Sequence, residues 1–114
     1  MDQIQQRGVR FDSRSSVVAS GSASVVQAAV SEQVHYVTEI GASAANATAQ
    51  ISVFETRNNV RWQAVLGAVG TTGPYEKVFR VPIRGTSGSA FIVEVIDTGG
   101  GTGSTIVNMA GYTV

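Results

Sequence analysis

The sequence predicts an all-β chain: an antiparallel two-sheet sandwich with an extended N-terminal arm. Three observations predict it. The aliphatic residues are eighteen Val and seven Ile against one Leu, Leu66; branching at Cβ stiffens χ1, which suits a pleated sheet, whereas helical cores lean on leucine. Turn signals recur at the short spacing of a sandwich or barrel. The chain has 114 residues and no cysteine, the size of one domain whose stability must come from packing alone.

The elements follow in chain order. Residues 1–16 (MDQIQQRGVRFDSRSS) carry three Arg, three Gln, two Asp and isolated apolar residues without a clear period, which reads as an arm preceding a domain over 17–114. Strands are expected at Val17 to Ser20, Ser24 to Val30, Gln33 to Gly41, Thr48 to Thr56, Val60 to Leu66, Glu76 to Arg84, Ser89 to Asp97 and Ser104 to Val114. Within Ala23 to Gln33 the apolar spacing also fits a short helix face. Between the strands lie GASAANA (Gly41 to Ala47), GTTGP (Gly70 to Pro74), GTSG (Gly85 to Gly88) and DTGGGTG (Asp97 to Gly103). Asn tolerates positive φ, so Asn58-Asn59 suits a two-residue hairpin loop joining Val53-Phe54-Glu55 to Val60-Arg61-Trp62.

Alternation assigns faces. In Glu76 to Arg84, Lys77, Phe79, Val81 and Ile83 read as core, and Pro82, lacking an N–H, places the strand at an edge or on a bulge. In Ser89 to Asp97 both sides are apolar: Phe91, Val93 and Val95 on one, Ala90, Ile92 and Ile96 on the other. An outer face is then expected to be covered, by the N-terminal segment or by another subunit. The last strand ties the C-terminal residues into a sheet. Trp62 reads either as a core plug or as an interface hot spot. Jelly-roll-like and immunoglobulin-like strand orders are not separated by such patterns.

Composition bounds the function. Eight basic residues balance eight acidic ones, and charged residues make up 14% of the chain, against roughly 25% in ordinary soluble domains. No basic excess exists to neutralise phosphates, so nucleic acid is not an expected partner. No apolar run approaches the ~20 residues of a membrane span and the first residues lack a secretory apolar region, so no membrane partner and synthesis in the cytoplasm are expected. A low-charge surface of Ser, Thr, Gly, Ala and Gln tolerates close contact with neighbours.

No catalytic constellation emerges, and the chain is read as no enzyme, with no cofactor and no metal. The single histidine, His35, has no Cys or second His to share a metal. Glu32, Glu39, Glu55, Glu76, Glu94 and Asp97 are isolated and form no acid/base pair motif. The glycine run after Asp97 lacks the lysine and following helix of a phosphate loop. Residues expected at a protein interface are those of the arm, with Ile4, Val9 and Phe11 entering pockets on a neighbour and Arg7, Arg10 and Arg14 meeting carboxylates. The other reading of this segment is a frayed terminus. Glu94 joins the interface set because it sits between Ile92 and Ile96 on a strand that otherwise reads as buried, and needs a partner such as Arg61, Arg80 or Arg84, or an interface to face.

From Val78 on, the chain (VFRVPIRGTSGSAFIVEVIDTGGGTGSTIVNMAGYTV) resembles small β-sandwich virion proteins of tailed bacteriophages. The shared pattern is a strand ending in a P-(I/L)-RGT turn (Pro82-Ile83-Arg84-Gly85-Thr86), a following strand (Ala90 to Asp97), and a last strand ending in VN-x-x-GY (Val107-Asn108, Gly111-Tyr112). The resemblance covers the last third of the chain and implies a capsid decoration, or cement, protein. Such a protein binds the major capsid protein at the head surface, stabilises the outer shell and self-associates as a homo-oligomer, with a trimer favoured. One sheet edge, the arm and the loop tips would meet the capsid. Two other functions compete: a tail, fibre or baseplate sandwich component, and a carbohydrate-binding sandwich.

Overall fold

The Val- and Ile-rich segments form eight strands: β1 (Val9–Ala19), β2 (Ser22–Gln27), β3 (His35–Ser43), β4 (Gln50–Glu55), β5 (Asn59–Val65), β6 (Tyr75–Arg84), β7 (Phe91–Ile96) and β8 (Thr102–Thr113). The computed structural model describes residues 8–19, 22–44, 49–56, 59–65, 75–97 and 102–114. Ile4, Arg7, Asn58, the GTTGP segment and Thr98 to Gly101 lie outside the described residues.

Two four-stranded sheets, β1-β8-β3-β6 and β2-β7-β4-β5, pack face to face, with every pairing antiparallel. The pairs nest, β1 with β8, β2 with β7, β3 with β6 and β4 with β5, as if one long hairpin had been rolled up. That is a jelly roll. An immunoglobulin order would set β1 beside β2 in one sheet; here they belong to opposite sheets.

The core lies between the sheets and comes from alternate strand positions, as the period of two requires. One sheet contributes Val37, Ile40, Ala42, Val107 and Met109, the other Ala23, Val25, Ile51, Val53, Phe91, Val93 and Val95. Burying each such Val or Ile contributes about 1.5–3 kcal/mol. At the β1–β2 flank Ser13 Oγ donates to Gln27 Oε1 at 3.2 Å. Around β5 and β6, Trp62 stacks on Tyr75 at 6.3 Å and meets Phe79 edge-on at 5.7 Å. Trp62 is thus half-buried and packed against the core rather than fully inside it.

Four sequence expectations change. The arm does not extend to residue 16: Val9 to Ser16 form β1 and pair with β8 from Thr113 to Ile106. The helix alternative at Ala23 to Gln33 is replaced by β2 and a turn in which Gln33 N–H donates to the Val30 carbonyl at 3.1 Å and Glu32 takes φ 64°. In the β4–β5 hairpin Glu55 pairs with Asn59, so Asn59 already belongs to β5. Positive φ falls on Thr56, at 54°. Finally, Val81 is 78% exposed, not core. β6 is an edge strand whose register against β3 jumps from Ile83 to Val78 while β3 advances from Val37 to Glu39. That bulge carries Val81 out of alternation, and it is where Pro82 removes a ladder donor.

Candidate protein interface

Both signature segments of the sequence prove to be places where backbones approach closely. At Gly85 a Cβ would lie 2.8 Å from the Phe91 ring and 3.1 Å from the His35 carbonyl. At Gly111 it would collide with the Tyr36 carbonyl and lie 2.7 Å from the Phe11 ring. Tyr112 then stacks on Tyr36 with ring centroids 4.9 Å apart, and the Asn108 side chain lies over Gly41. The turn Arg84-Gly85-Thr86 is pinned by Glu55, which accepts the Thr86 backbone N–H and an Arg61 guanidinium hydrogen bond at 2.8 Å. Arg61 also donates to the Arg84 carbonyl at 2.9 Å. Burial alone would raise the Glu55 pKa; the hydrogen bonds from Thr86 and Arg61, with the Arg61 charge, outweigh it and hold the carboxyl below its ordinary value. Burial raises the Tyr75 phenol.

His35 is equally structural. It is fully buried, with Nε2 2.6 Å from the Ala28 carbonyl and Nδ1 2.7 Å from Thr113 Oγ1, and its ring meets Phe11 edge-on at 5.7 Å. A carbonyl only accepts, so Nε2 donates to it, and Nδ1 shares a hydrogen bond with the Thr113 hydroxyl. Among the described residues no three His, Cys, Asp or Glu side chains gather as a metal site.

Among the described residues, those expected at an interface lie on different faces. Phe11 is half-buried against the core, with its ring beside His35 and Gly111. Val9, at the end of β1, is 69% exposed. Arg10 and Arg14 point outward from the β1-β8-β3-β6 sheet. Glu94 lies on the outer side of the opposite sheet. None of Arg61, Arg80 and Arg84 pairs with it: the one ion pair among the described residues joins Arg61 to Glu55.

The two outer faces have opposite chemistry. On the first sheet the registers align Arg10, Tyr112, Tyr36 and Arg84 across all four strands, then Asp12, Ala110, Glu39 and Val78, then Arg14, Asn108, Gly41 and Glu76. Arg84 Nε donates to the Tyr36 hydroxyl at 3.1 Å. A hollow of about 340 Å³ lies among Arg14, Gly41, Glu76 and Asn108. This face alternates cations and carboxylates and is wet by design.

On the second sheet one row is Val26, Ile92, Phe54 and Val60; the next is Ser24, Glu94, Ser52 and Gln63; the third is Ser22, Ile96, Gln50 and Val65. Val26 and Val60 are 53% and 52% exposed, Ile96 and Val65 each 40%. The apolar side chains lie in the two outer rows, with Phe54 itself buried, and Ser24, Glu94, Ser52 and Gln63 separate them. Within these three rows Glu94 is the one charged residue. The doubly apolar β7 signalled this face in the sequence. Its companions Val26, Phe54 and Val60 were not legible, because nothing local says that they share a row.

No family model matches the sequence, and no curated protein matches it. Solved structures do match in fold. A chain in the capsid asymmetric unit of cyanophage Pam1 superposes with a TM-score of 0.53 at 16% identity, covering 92% of this chain and 85% of that one. A chain in the acid-stable capsid structure of Helicobacter pylori bacteriophage KHP30 gives 0.54 at 14% identity, covering 93% of both. The likeness is one of fold. This small β-sandwich is thus structurally similar to chains found in two phage capsids.

Proposed function

We propose that this chain is a structural protein of a bacteriophage virion and, within it, a capsid decoration protein that binds and stabilises the outer surface of the head. The observation that carries the reading is a jelly roll that superposes over more than nine-tenths of its length on chains of two phage capsid structures and exposes Val26, Val60, Val65 and Ile96 on one outer sheet face. Its partners are then the major capsid protein and copies of itself. Self-association, proposed as trimeric, draws support from a second apolar strip on the edge strand β6, where Val78 and Val81 are 67% and 78% exposed. Ile4 and Arg7, just before β1, are proposed to reach the shell together with Arg10 and Arg14. A non-enzymatic role agrees with polar clusters whose donors and acceptors are spent on holding turns and strand ends.

Quantitative mass spectrometry of purified particles tests this. Copy number comparable to the major shell protein supports decoration, a few copies per particle replace it with a tail, fibre or baseplate role, and absence removes the virion reading. Deleting Met1 to Arg7 should weaken binding to heads; unchanged binding would remove the arm from the contact.

A further inference from the structure

One outward row of the β1-β8-β3-β6 sheet carries two guanidinium groups and two phenols, and no carboxylate. Arg10, Tyr112, Tyr36 and Arg84 stand side by side there, one from each strand. The two rings stack with centroids 4.9 Å apart and planes 12° from parallel. Tyr112 also lies close against the Gly8 backbone, where a Cβ would be 3.0 Å from its Cδ2. Arg84 Nε donates to the Tyr36 hydroxyl at 3.1 Å, which leaves the hydroxyl proton and both Nη groups to donate elsewhere. Both arginines are exposed, and neither enters an ion pair among the described residues. Beside the row, where the register of β3 shifts between Val37 and Glu39, a hollow of about 250 Å³ opens among Arg10, Thr38, Pro82 and Tyr112.

Tyrosine and arginine are the residues enriched at binding hot spots, and rings that are already stacked lose little freedom when a partner covers them. The donors of this row call for acceptors, and its charge calls for carboxylates, which a guanidinium can take in bidentate fashion. Spacing narrows the partner further. Arg10 and Arg84 are three strand intervals apart, ~14 Å at ~4.8 Å each. An extended chain rises ~3.4 Å per residue and repeats its facing every second residue, so residues i and i+4 point the same way ~14 Å apart. Residue i+2 then falls midway, over the two tyrosines. Width narrows it again. About two residues along β1, ~7 Å away, the next row holds Asp12 and Glu39. A broad acidic surface would press on those carboxylates, whereas a single extended segment laid along the row would not.

We infer that this row docks an extended segment of a partner protein, laid across the strands, with carboxylates at two positions four residues apart and an apolar or aromatic residue midway. The inference deepens the virion reading and rests on it only in naming the shell protein as that partner. Arg10 takes one carboxylate, Arg84 and the Tyr36 hydroxyl take the other, and the midway side chain lies on the Tyr36–Tyr112 stack. Exposed ion pairs contribute little singly. One contact is accordingly weak and salt-sensitive, and attachment at many sites is strong through multivalency.

The experiment has two arms, both with the full-length chain. In the first, which involves no head, the isotopically labelled chain is titrated by NMR with a blocked synthetic peptide bearing two glutamates four residues apart and a tyrosine midway. Amide shifts should move saturably around Arg10, Tyr36, Arg84 and Tyr112. Arg10→Glu should raise Kd by about tenfold and Tyr36→Phe by less; Arg80→Glu, an equal charge change outside the row, should leave it near the wild-type value. The Arg10 side chain is exposed and in no ion pair among the described residues, so its replacement tests binding rather than folding. No saturable shift at the row, equal loss in Arg80→Glu, or equal binding of a peptide with lysines in place of the glutamates overturns the inference. Equal affinity for a peptide with adjacent glutamates overturns the spacing, and inorganic phosphate or acetate that reproduces the shifts at the same concentration replaces the segment with a lone anion. In the second arm, heads lacking this chain are mixed with wild type, Arg10→Glu/Arg84→Glu and Arg80→Glu, and binding is measured by co-sedimentation at several salt concentrations. The double variant should lose about tenfold or more in affinity. Wild-type binding by the double variant overturns the shell protein as the partner of this row. A wild-type chain that ignores heads sinks the virion reading, and the peptide arm then decides the inference alone.

Discussion

Replacing Glu55 by Ala tests the claim that one buried carboxylate holds three parts of the fold together. Glu55 ends β4, its side chain is 3% exposed, and it accepts from Arg61 and Asn59 of β5 and from Thr86 after β6. A hydrogen bond to a charged acceptor is worth about 1.5–3 kcal/mol. Thr86 itself is exposed, so water recovers part of its loss and the lower end, ~1.5 kcal/mol, applies. Arg61, with a side chain 30% exposed, and Asn59 together add about 1 kcal/mol after solvent screening. The expected cost is therefore about 2.5 kcal/mol. With an unfolding entropy near 0.24 kcal/mol/K for a domain of this length, the melting temperature should fall by roughly 10 °C. Circular dichroism melts of wild type, Glu55→Ala and Glu55→Gln measure it. Because the folded carboxyl titrates below its unfolded value of 4.5, its stabilisation is complete above that pH and is lost as pH falls through the folded pKa. The gap between wild type and Glu55→Gln should hold at neutral pH and close on acidification. A Glu55→Ala melt within about 2 °C of wild type, which is the scatter of surface substitutions, would refute the reasoning.

Three further outcomes follow from the packing. Removing Tyr112 to Val114 deletes the Tyr36 stack, the Thr113–His35 hydrogen bond and both backbone bonds between Val34 and Val114; at about 4–5 kcal/mol against a total of 5–15, urea titration should show a shallow or absent transition. Gly111→Ala should cost about 3 kcal/mol because a Cβ collides with the Tyr36 carbonyl, whereas Gly88→Ala, in open space at φ +77°, should cost only about 1 kcal/mol of backbone strain; equal losses in denaturant midpoint would contradict the close approach. Thr56→Gly should raise stability by about 1 kcal/mol, since a β-branched residue holds φ 54° there, and a lower midpoint would mean that the Thr56 hydroxyl bond to the Glu55 carbonyl at 2.5 Å outweighs the strain.

Sequence alone determined the fold class, because branching at Cβ and alternation are local properties: seven of the eight strands fall on expected segments, and β1 takes in the eighth. It also determined that Pro82 would sit on an edge or bulge, and that β7 would be apolar on both sides. Strand order, register and the split of the expected interface residues between opposite faces needed the tertiary structure. Register is a relation between segments far apart in the chain, and a slip of one residue would turn every side chain of a strand to the other face. The alternation that marks Val26, Ile92 and Val60 as outward residues therefore cannot say that they form one row with Phe54. Only the pairing of β2, β7, β4 and β5 places those four side by side, with Glu94 in the row beneath them.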